Sequence, residues 1–529
     1  MLLAVNQLLT EVRMQRLSGV SGRDRRTAAE GLVAQAAALP QRTIKAASLV
    51  ELSDTWLDDE PAKARCFAVQ ARELVDETTA PNVTALSLTI EADAALKDKE
   101  PQPDRAYDLT QRAIELARQH RERTTDPILR ATSMLDRIRI FESATSAALA
   151  AGRLACALKA AENQRPALPG EPPLDLKLVQ KALAIGELAI VYTWLGAGRL
   201  LVATVERNSL QSVPVTVNPE ALRILESFSA HLRNGGIGGW SFTSEEADLL
   251  DVLLPVLLPS LVTSRLANAR KLFILPHRSL HAIPFSLLRF GGSRLGLSYP
   301  WTTIPNLGAI HRRIPVTDGQ GVVAAGIDYY PTAQPTRGFD GVAEEIVARH
   351  EARGLPANRL TEPGVCNTLA GMLAGGELDH AAFLLLACHG TSAQGDVPGE
   401  SFLQLGSERL TADMISRSRV PADLVVLVAC CSGQRAVGGM GIQFWPGDDL
   451  FGLQAAFRVA GARQVIGSLW NAKVRAAKSM AGLVYDAWVN GADAATSIQR
   501  AARELYKDPL HQQKYEWAPF TAVQFGMKA

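Results

Sequence analysis

Two short apolar runs end in residues that can do acyl chemistry. Phe383-Leu384-Leu385-Leu386-Ala387-Cys388 is followed by His389-Gly390, and Leu424-Val425-Val426-Leu427-Val428-Ala429 by Cys430-Cys431-Ser432-Gly433. Runs this short, apolar all round and bounded by polar or Gly-bearing segments, read as strands buried on both faces of a parallel sheet. Ligands gather beyond the carboxyl ends of such strands, so a His and a Cys at two of them can face one cleft. An imidazole beside a thiol is a nucleophile with its proton acceptor. Either residue alone is more often packing than chemistry, but the two together on matching strand ends favour chemistry. Gly390 has no Cβ and admits close backbone approach. Its N–H, with that of Cys430, can form an oxyanion hole. Neighbours on a strand end point to opposite faces, so only one of Cys430 and Cys431 can face His389.

Five stretches in order carry a family resemblance: Ala387-Cys388-His389-Gly390; Val428-Ala429-Cys430-Cys431-Ser432-Gly433; Gly447-Asp448-Asp449-Leu450-Phe451-Gly452-Leu453; Gly467-Ser468-Leu469-Trp470; and Trp517-Ala518-Pro519-Phe520. The series resembles the successive motifs of the CHAT family, caspase-like proteins grouped with separases and gingipains, over roughly Asp175 onward. The resemblance implies an α/β caspase-like three-layer domain, an inactive half before an active half, behind tetratricopeptide-like helices. It implies a cysteine endopeptidase that cleaves a specific protein partner, often in regulated bacterial programmes such as defence, without a cofactor. It selects Cys430, directly after Val428-Ala429, as nucleophile and His389 as general acid–base, and leaves Cys431 without a role. In separase-like relatives an acidic residue shortly after the Trp recognises a basic P1 side chain. Here Asn471-Ala472-Lys473-Val474 follow Trp470, so Lys473 suits an acidic or polar one. Trp470, Lys473, Asp448 and Asp449 are the expected substrate-binding residues, the two Asp also opening a helix whose dipole they favour. The loop from Gln434 to Gly447 is expected to order on activation. The rival readings are a catalytically silent caspase-like scaffold for protein–protein interaction and an acyltransferase with the same dyad.

Residues 1–165 read as helical, rich in Ala, Leu, Arg and Glu with apolar residues at three- and four-residue spacing. Ala71-Arg72-Glu73-Leu74 resembles Ala113-Ile114-Glu115-Leu116 at an offset of 42 (113 − 71), longer than the roughly 34 of a standard tetratricopeptide repeat. Stacked helix pairs offer an extended concave face for a protein partner, here a regulatory one. Residues 166–174 hold four prolines and a glycine within Pro166–Pro173 and read as a linker. Residues 175–320 form the expected inactive half, with a hairpin over Glu187–Trp194 and Leu200–Val205 and a strand over Lys271–Leu275. His277 and His281 stand four apart, but Pro276 and Pro284 oppose a helix and no third ligand follows, so no metal site is read here. Residues 321–529 form the expected active half: a strand over Gly321–Ile327, a helix over Gly341–Glu351, then alternating strands and helices around a parallel sheet.

The chain has 529 residues, too long for one core, so two or three domains are expected. A formal net charge of +1 argues against general nucleic-acid or membrane-surface binding. The six Cys, at 66, 156, 366, 388, 430 and 431, show no CxxC spacing, which points to reduced cytoplasmic thiols rather than zinc or disulfides. Met1–Asn6 lacks a basic region before an apolar core and does not read as a signal peptide. The greasiest run, Leu249–Val262, is interrupted by Asp251, Pro255 and Pro259 and is too short to span a bilayer.

Overall fold

The computed structural model describes residues 2–17, 20–122, 138–165, 171–196, 198–238, 243–317, 320–328, 338–360, 369, 371–373, 375–391, 401–433, 452–513 and 516–529. The chain divides into two compact units, Met1–Pro173 and Leu174–Ala529.

The first unit is helical: α1 (Leu2–Leu17), α2 (Gly22–Ala37), α3 (Arg42–Trp56), α4 (Pro61–Leu74), α5 (Pro81–Lys97), α6 (Pro103–Glu122), α7 (Ile138–Ala150) and α8 (Leu154–Glu162). Proline opens α4, α5 and α6, where its missing N–H costs no hydrogen bond and its fixed φ suits the first turn. The starts of α4 and α6 are 42 residues apart (103 − 61), the same offset the sequence repeat gives. Small buried residues such as Ala64, Ala68 and Ala71 let neighbouring helices approach closely. Glu51 is buried among them and is held by Arg13 at 3.2 Å and Arg16 at 3.1 Å, as a buried carboxylate requires.

The second unit is organised by one sheet of eleven strands. Its strands are β1 (Glu187–Trp194), β2 (Arg199–Glu206), β3 (Ser209–Thr216), β4 (Lys271–Leu275), β5 (Trp301–Thr303), β6 (Gly321–Gly326), β7 (Ala357–Leu360) and β8 (Ala381–Ala387), with β12 (Leu424–Val428), β13 (Gln464–Ser468) and β14 (Phe520–Gln524). Between β8 and β12 a small antiparallel sheet holds β9 (His389–Thr391), β10 (Phe402–Leu405) and β11 (Glu408–Thr411). The order in the main sheet is β7-β6-β8-β12-β13-β14-β5-β4-β1-β2-β3. The sheet is mixed rather than purely parallel. β6, β7, β8, β12 and β13 run together, β14 runs against β13, and β2 runs against both its neighbours. β3 was not expected: its alternating half-exposed pattern and Pro214 mark an edge strand, a weak signal beside the apolar runs.

Helices cover both faces, giving three layers. On one face Phe383, Leu385 and Ala387 of β8 and Leu424, Val426 and Val428 of β12 join a core with α10 (Phe339–Glu351), α12 (Val474–Val489) and α13 (Ala494–Tyr506). On the other, Leu384, Leu386 and Cys388 with Val425, Leu427 and Ala429 pack against α11 (Leu453–Ala460). Among the described residues no single helix is long and apolar enough to cross a membrane. The apolar pair Glu245–Leu257 and α9 (Ser260–Leu266) is bent by 99°.

Candidate active site

Three neighbouring parallel strands end side by side. β8 pairs β12 as far as Ala387 opposite Val428, a pair closed by the Cys388 N–H donating to the Val428 carbonyl at 3.2 Å. His389 and Cys430 each lie two residues past that last pair, and the small antiparallel sheet begins at His389. On the other flank Gly326 of β6 is opposite Ala387, and the Ile327 N–H donates to the Ala387 carbonyl at 2.9 Å. Asp328 lies two residues past Gly326. Adjacent strands lie about 4.8 Å apart, so the three strand ends followed by Asp328, His389 and Cys430 are neighbours.

Strand alternation decides which side chains share a face. Ala387 and Val428 belong to the core beside α10 and α12; Cys388 and Ala429 belong to the opposite core. His389, two residues on from Ala387, stands against Phe339 of the first core, and His389 and Cys430 are both half-buried. Cys431 is 2 % exposed, its Sγ donating to Asn471 Oδ1 at 3.6 Å. Cys431 takes φ = 56°, a left-handed backbone uncommon for a residue with a Cβ, and this turns the chain sharply after Cys430.

The turn is bolted to β13. The Ser432 hydroxyl donates to the Ala429 carbonyl at 2.7 Å, the Ser468 hydroxyl to the same oxygen at 2.8 Å, and the Gly433 N–H to the Ser468 carbonyl at 2.9 Å. Gly433 and Gly467 permit this contact: a Cβ on Gly467 would lie 2.8 Å from the Gly433 nitrogen. Gly390 does a similar service. A Cβ there would stand 2.7 Å from the Cys430 carbonyl oxygen and 2.9 Å from the Ala429 Cβ. It is therefore the Cys430 strand itself that crowds Gly390.

Electrostatics set the resting charges. Burial pushes the Cys430 thiol up, opposed by the N–H groups of Ala472 and of Cys430 itself, which favour the thiolate. Burial pushes His389 below the usual imidazole range, and the Asp328 carboxylate opposes that shift. Burial pushes the Cys431 thiol up to about 12 and Cys388 further still, so neither is a nucleophile at neutral pH. Phe339, at the start of α10, stands edge-on to His389 with ring centroids 5.2 Å apart and planes at 87°. This arrangement can do nucleophilic acyl chemistry: an accessible sulfur, a neighbouring imidazole and a carboxylate behind it.

The other residues singled out from sequence fall elsewhere. Trp470 is 3 % exposed and packs in the core. Lys473 is exposed at the N-cap of α12. Asp448, Asp449, the expected helix start at Gly447 and the loop from Gln434 to Gly447 lie outside the described residues. The segment after β4 forms two short 3-10 stretches, Arg278–Ala282 and Phe285–Leu287, with His277 outside both. His277, buried before it, accepts the Trp194 N–H at 3.0 Å through Nδ1. Among the described residues no group of three or more His, Cys, Asp or Glu is placed to hold a metal. A cavity of about 40 Å³ lies between Gly433, Gln454, Leu469, Trp301 and Thr521, but neither His389 nor Cys430 lines it. Sequence reading missed Asp328, Phe339 and Ser468. Asp328 had a signal: it too follows a short apolar run, Val322–Ile327.

The family model of the CHAT domain matches residues 247–524, just over half of the chain and inclusive of both strand ends. The chain belongs to the CHAT-domain family. No curated protein sequence matches the chain. Among solved structures, the Saccharomyces cerevisiae separase–securin complex is similar at 10 % identity and a TM-score of 0.42, over 99 % of this chain and 50 % of that one. The Arg-specific cysteine proteinase gingipain R is similar at 9 % identity and a TM-score of 0.33, over 57 % of this chain and 74 % of that one. A complex of the pro- and mature domains of Porphyromonas gingivalis RgpB is similar at 11 % identity and a TM-score of 0.33, over 58 % and 77 %. The CHAT chain spans half the length of the separase chain it resembles.

Proposed function

We propose that this CHAT domain is a cysteine endopeptidase, with Cys430 as nucleophile and His389 as general acid–base. The observation that supports the reading is the pairing of β8 with β12: a half-buried imidazole and a half-buried thiol each follow, by two residues, the last pair of two adjacent parallel strands. Burial disfavours charge on both, so the resting pair is a neutral thiol and a neutral imidazole. Substrate binding brings a carbonyl to the sulfur. The thiol proton passes to His389 as the C–S bond forms, and the carbonyl oxygen becomes an oxyanion. The N–H groups of Gly390 and Cys430 hold that oxyanion, and the crowding that keeps Gly390 against Cys430 keeps the two donors together. His389 then gives its proton to the leaving amine, breaking the C–N bond. Water, deprotonated by His389, releases the acyl group and restores the thiol.

Lys473, exposed just past the Cys431 partner Asn471, supports an acidic or polar residue at P1. The substrate is a protein, and the stacked helices of Met1–Pro173 are the surface for a regulatory protein partner. The test is peptide mapping of proteolysis products from cells expressing the wild-type chain or Cys430→Ala, with labelling by a peptidyl chloromethyl ketone. Cys430→Ala should abolish cleavage and labelling, and Cys431→Ala should keep both. Cleavage surviving Cys430→Ala would overturn the reading.

A further inference from the structure

We propose that Asp328 is a positioning residue for His389, so that the reactive group is a row of three, Asp328–His389–Cys430, one from each of three adjacent parallel strands. The inference rests on the peptidase reading and extends it to a carboxylate that nothing in the family match assigns. Two independent features place it. The first is placement: Asp328, His389 and Cys430 follow by two residues the last paired residues of three adjacent parallel strands, Gly326, Ala387 and Val428. The second is how Asp328 is held. Its Oδ1 accepts the N–H of Gly338 at 2.9 Å and of Phe339 at 2.7 Å, the first amides of α10. Phe339, whose amide fixes the carboxylate, also walls the imidazole edge-on. Gly326 allows this closeness, since a Cβ on it would meet the Phe339 carbonyl oxygen at 2.3 Å. With Oδ1 committed to the helix, Oδ2 is left for the imidazole.

A neutral imidazole has one N–H and one bare nitrogen. A carboxylate that accepts the N–H leaves the bare nitrogen toward the sulfur and stabilises the imidazolium formed when the thiol proton arrives. The Asp328 carboxylate acts on the His389 charge, and Cys430 follows the neighbouring strand β12. On α10 the nearest acid, Asp340, is turned to Arg359 at 2.8 Å, and across the small sheet His389 pairs with the uncharged Gln404.

The test needs no known substrate. Iodoacetamide alkylation of Cys430 is followed against pH by peptide mass spectrometry, beside an NMR titration of His389 in a chain with nine His. The variants are Asp328→Asn, Asp328→Glu, Asp328→Ala and His389→Ala. Asp328→Asn keeps an oxygen for the two α10 amides and removes only the charge, so it should melt near the wild type. Its His389 should titrate lower, and Cys430 alkylation at pH 7 should slow about tenfold, its inflection rising by about one pH unit. Asp328→Glu should recover part of that loss. A wild-type profile in Asp328→Asn, with lowered melting in Asp328→Ala, would mean that Asp328 only caps α10, and the proposal falls. It falls equally if Asp328→Asn and Asp328→Glu depart alike. If instead His389→Ala keeps the wild-type profile, the dyad reading fails, and that result is distinct from either outcome at Asp328.

Discussion

Gly390→Ala tests how tightly the two strand ends are coupled. The added Cβ would sit 2.7 Å from the Cys430 carbonyl oxygen and 2.9 Å from the Ala429 Cβ. Ordinary contact begins at 3.4 Å, so the strands must part by 0.5 to 0.7 Å, and backbone on the Cys430 side cannot rotate away as a side chain would. Overpacking of this kind costs about 1–3 kcal/mol. The effect on chemistry follows from distance. A thiolate and an imidazolium about 4 Å apart attract by about 4 kcal/mol at an effective dielectric of 20. Widening the gap by that amount removes about 0.6 kcal/mol, roughly a threefold smaller thiolate fraction at a given pH. Peptide cleavage should suffer more, about tenfold to a hundredfold, because a misplacement approaching 1 Å also breaks the attack geometry and the paired oxyanion donors. The assay is Cys430 alkylation against pH, with a thermal melt on the same sample. Alkylation about three times slower near neutral pH, with a lower melting temperature, is expected. A variant that melts lower but alkylates as the wild type would refute the claim that strand spacing sets the coupling of sulfur and imidazole.

Asp423→Ala should cost stability without touching the thiol. Asp423 accepts from Arg463 Nε at 2.7 Å and from Trp488 Nε1 at 2.8 Å, tying β12 and β13 to α12. Losing these charge-assisted bonds should remove about 2–4 kcal/mol in chemical denaturation, with Cys430 alkylation unchanged. The second unit should also lose stability as pH falls. Burial pushes His311, His350 and His389 below the usual imidazole range. The unfolded chain then binds more protons than the native one below about pH 6.5, so stability is full above that pH and declines beneath it. His350→Gln should flatten that slope measured by melting from pH 7 to 5, since His350 is fully buried with Nδ1 against the Tyr485 hydroxyl at 2.8 Å.

The parts of the site legible in sequence are those that burial writes into composition. A central parallel strand is apolar on both faces, so β8 and β12 stood out and their ends located His389 and Cys430. Alternation said only that one of Cys430 and Cys431 could face His389; the choice of Cys430 came from the family resemblance, and of the two thiols Cys430 is half-buried and Cys431 buried. Gly390 was legible as a close-approach residue, but not what approaches it. Asp328 was missed because a lone Asp after a strand resembles any loop residue. Its meaning depends on which strand lies next to β8, and strand order is set by tertiary packing. The direction of β14 was invisible for the same reason: Phe520–Gln524 reads as a buried strand either way. β3 and the small β9–β10–β11 sheet are short, half-exposed and partly polar, where pattern is weakest.

That unreadable reversal has a consequence for where chemistry can occur. β14 runs against β13 and parallel to β5, and β5, β4 and β1 share its direction. The carboxyl ends of β1, β4 and β5 therefore lie on the edge of the sheet opposite those of β6, β8 and β12. His277 follows β4 much as His389 follows β8, yet it emerges on the wrong edge to meet Cys430. Its Nδ1 instead accepts the N–H of Trp194 at the end of parallel β1, closing that edge with a structural bond. Two histidines in similar local sequence thus have different chemical opportunities because one antiparallel strand separates them. The earlier strands still bear on the site mechanically. Lys271 of β4 pairs with Asp493, whose side chain caps α13 at the Thr496 N–H, 2.9 Å away. The next residue, Ala494, donates its N–H to Gln464 of β13 at 3.0 Å. β13 carries Ser468, which holds the turn after Cys430, so a continuous set of contacts within Leu174–Ala529 fixes the sulfur from the far side of the sheet.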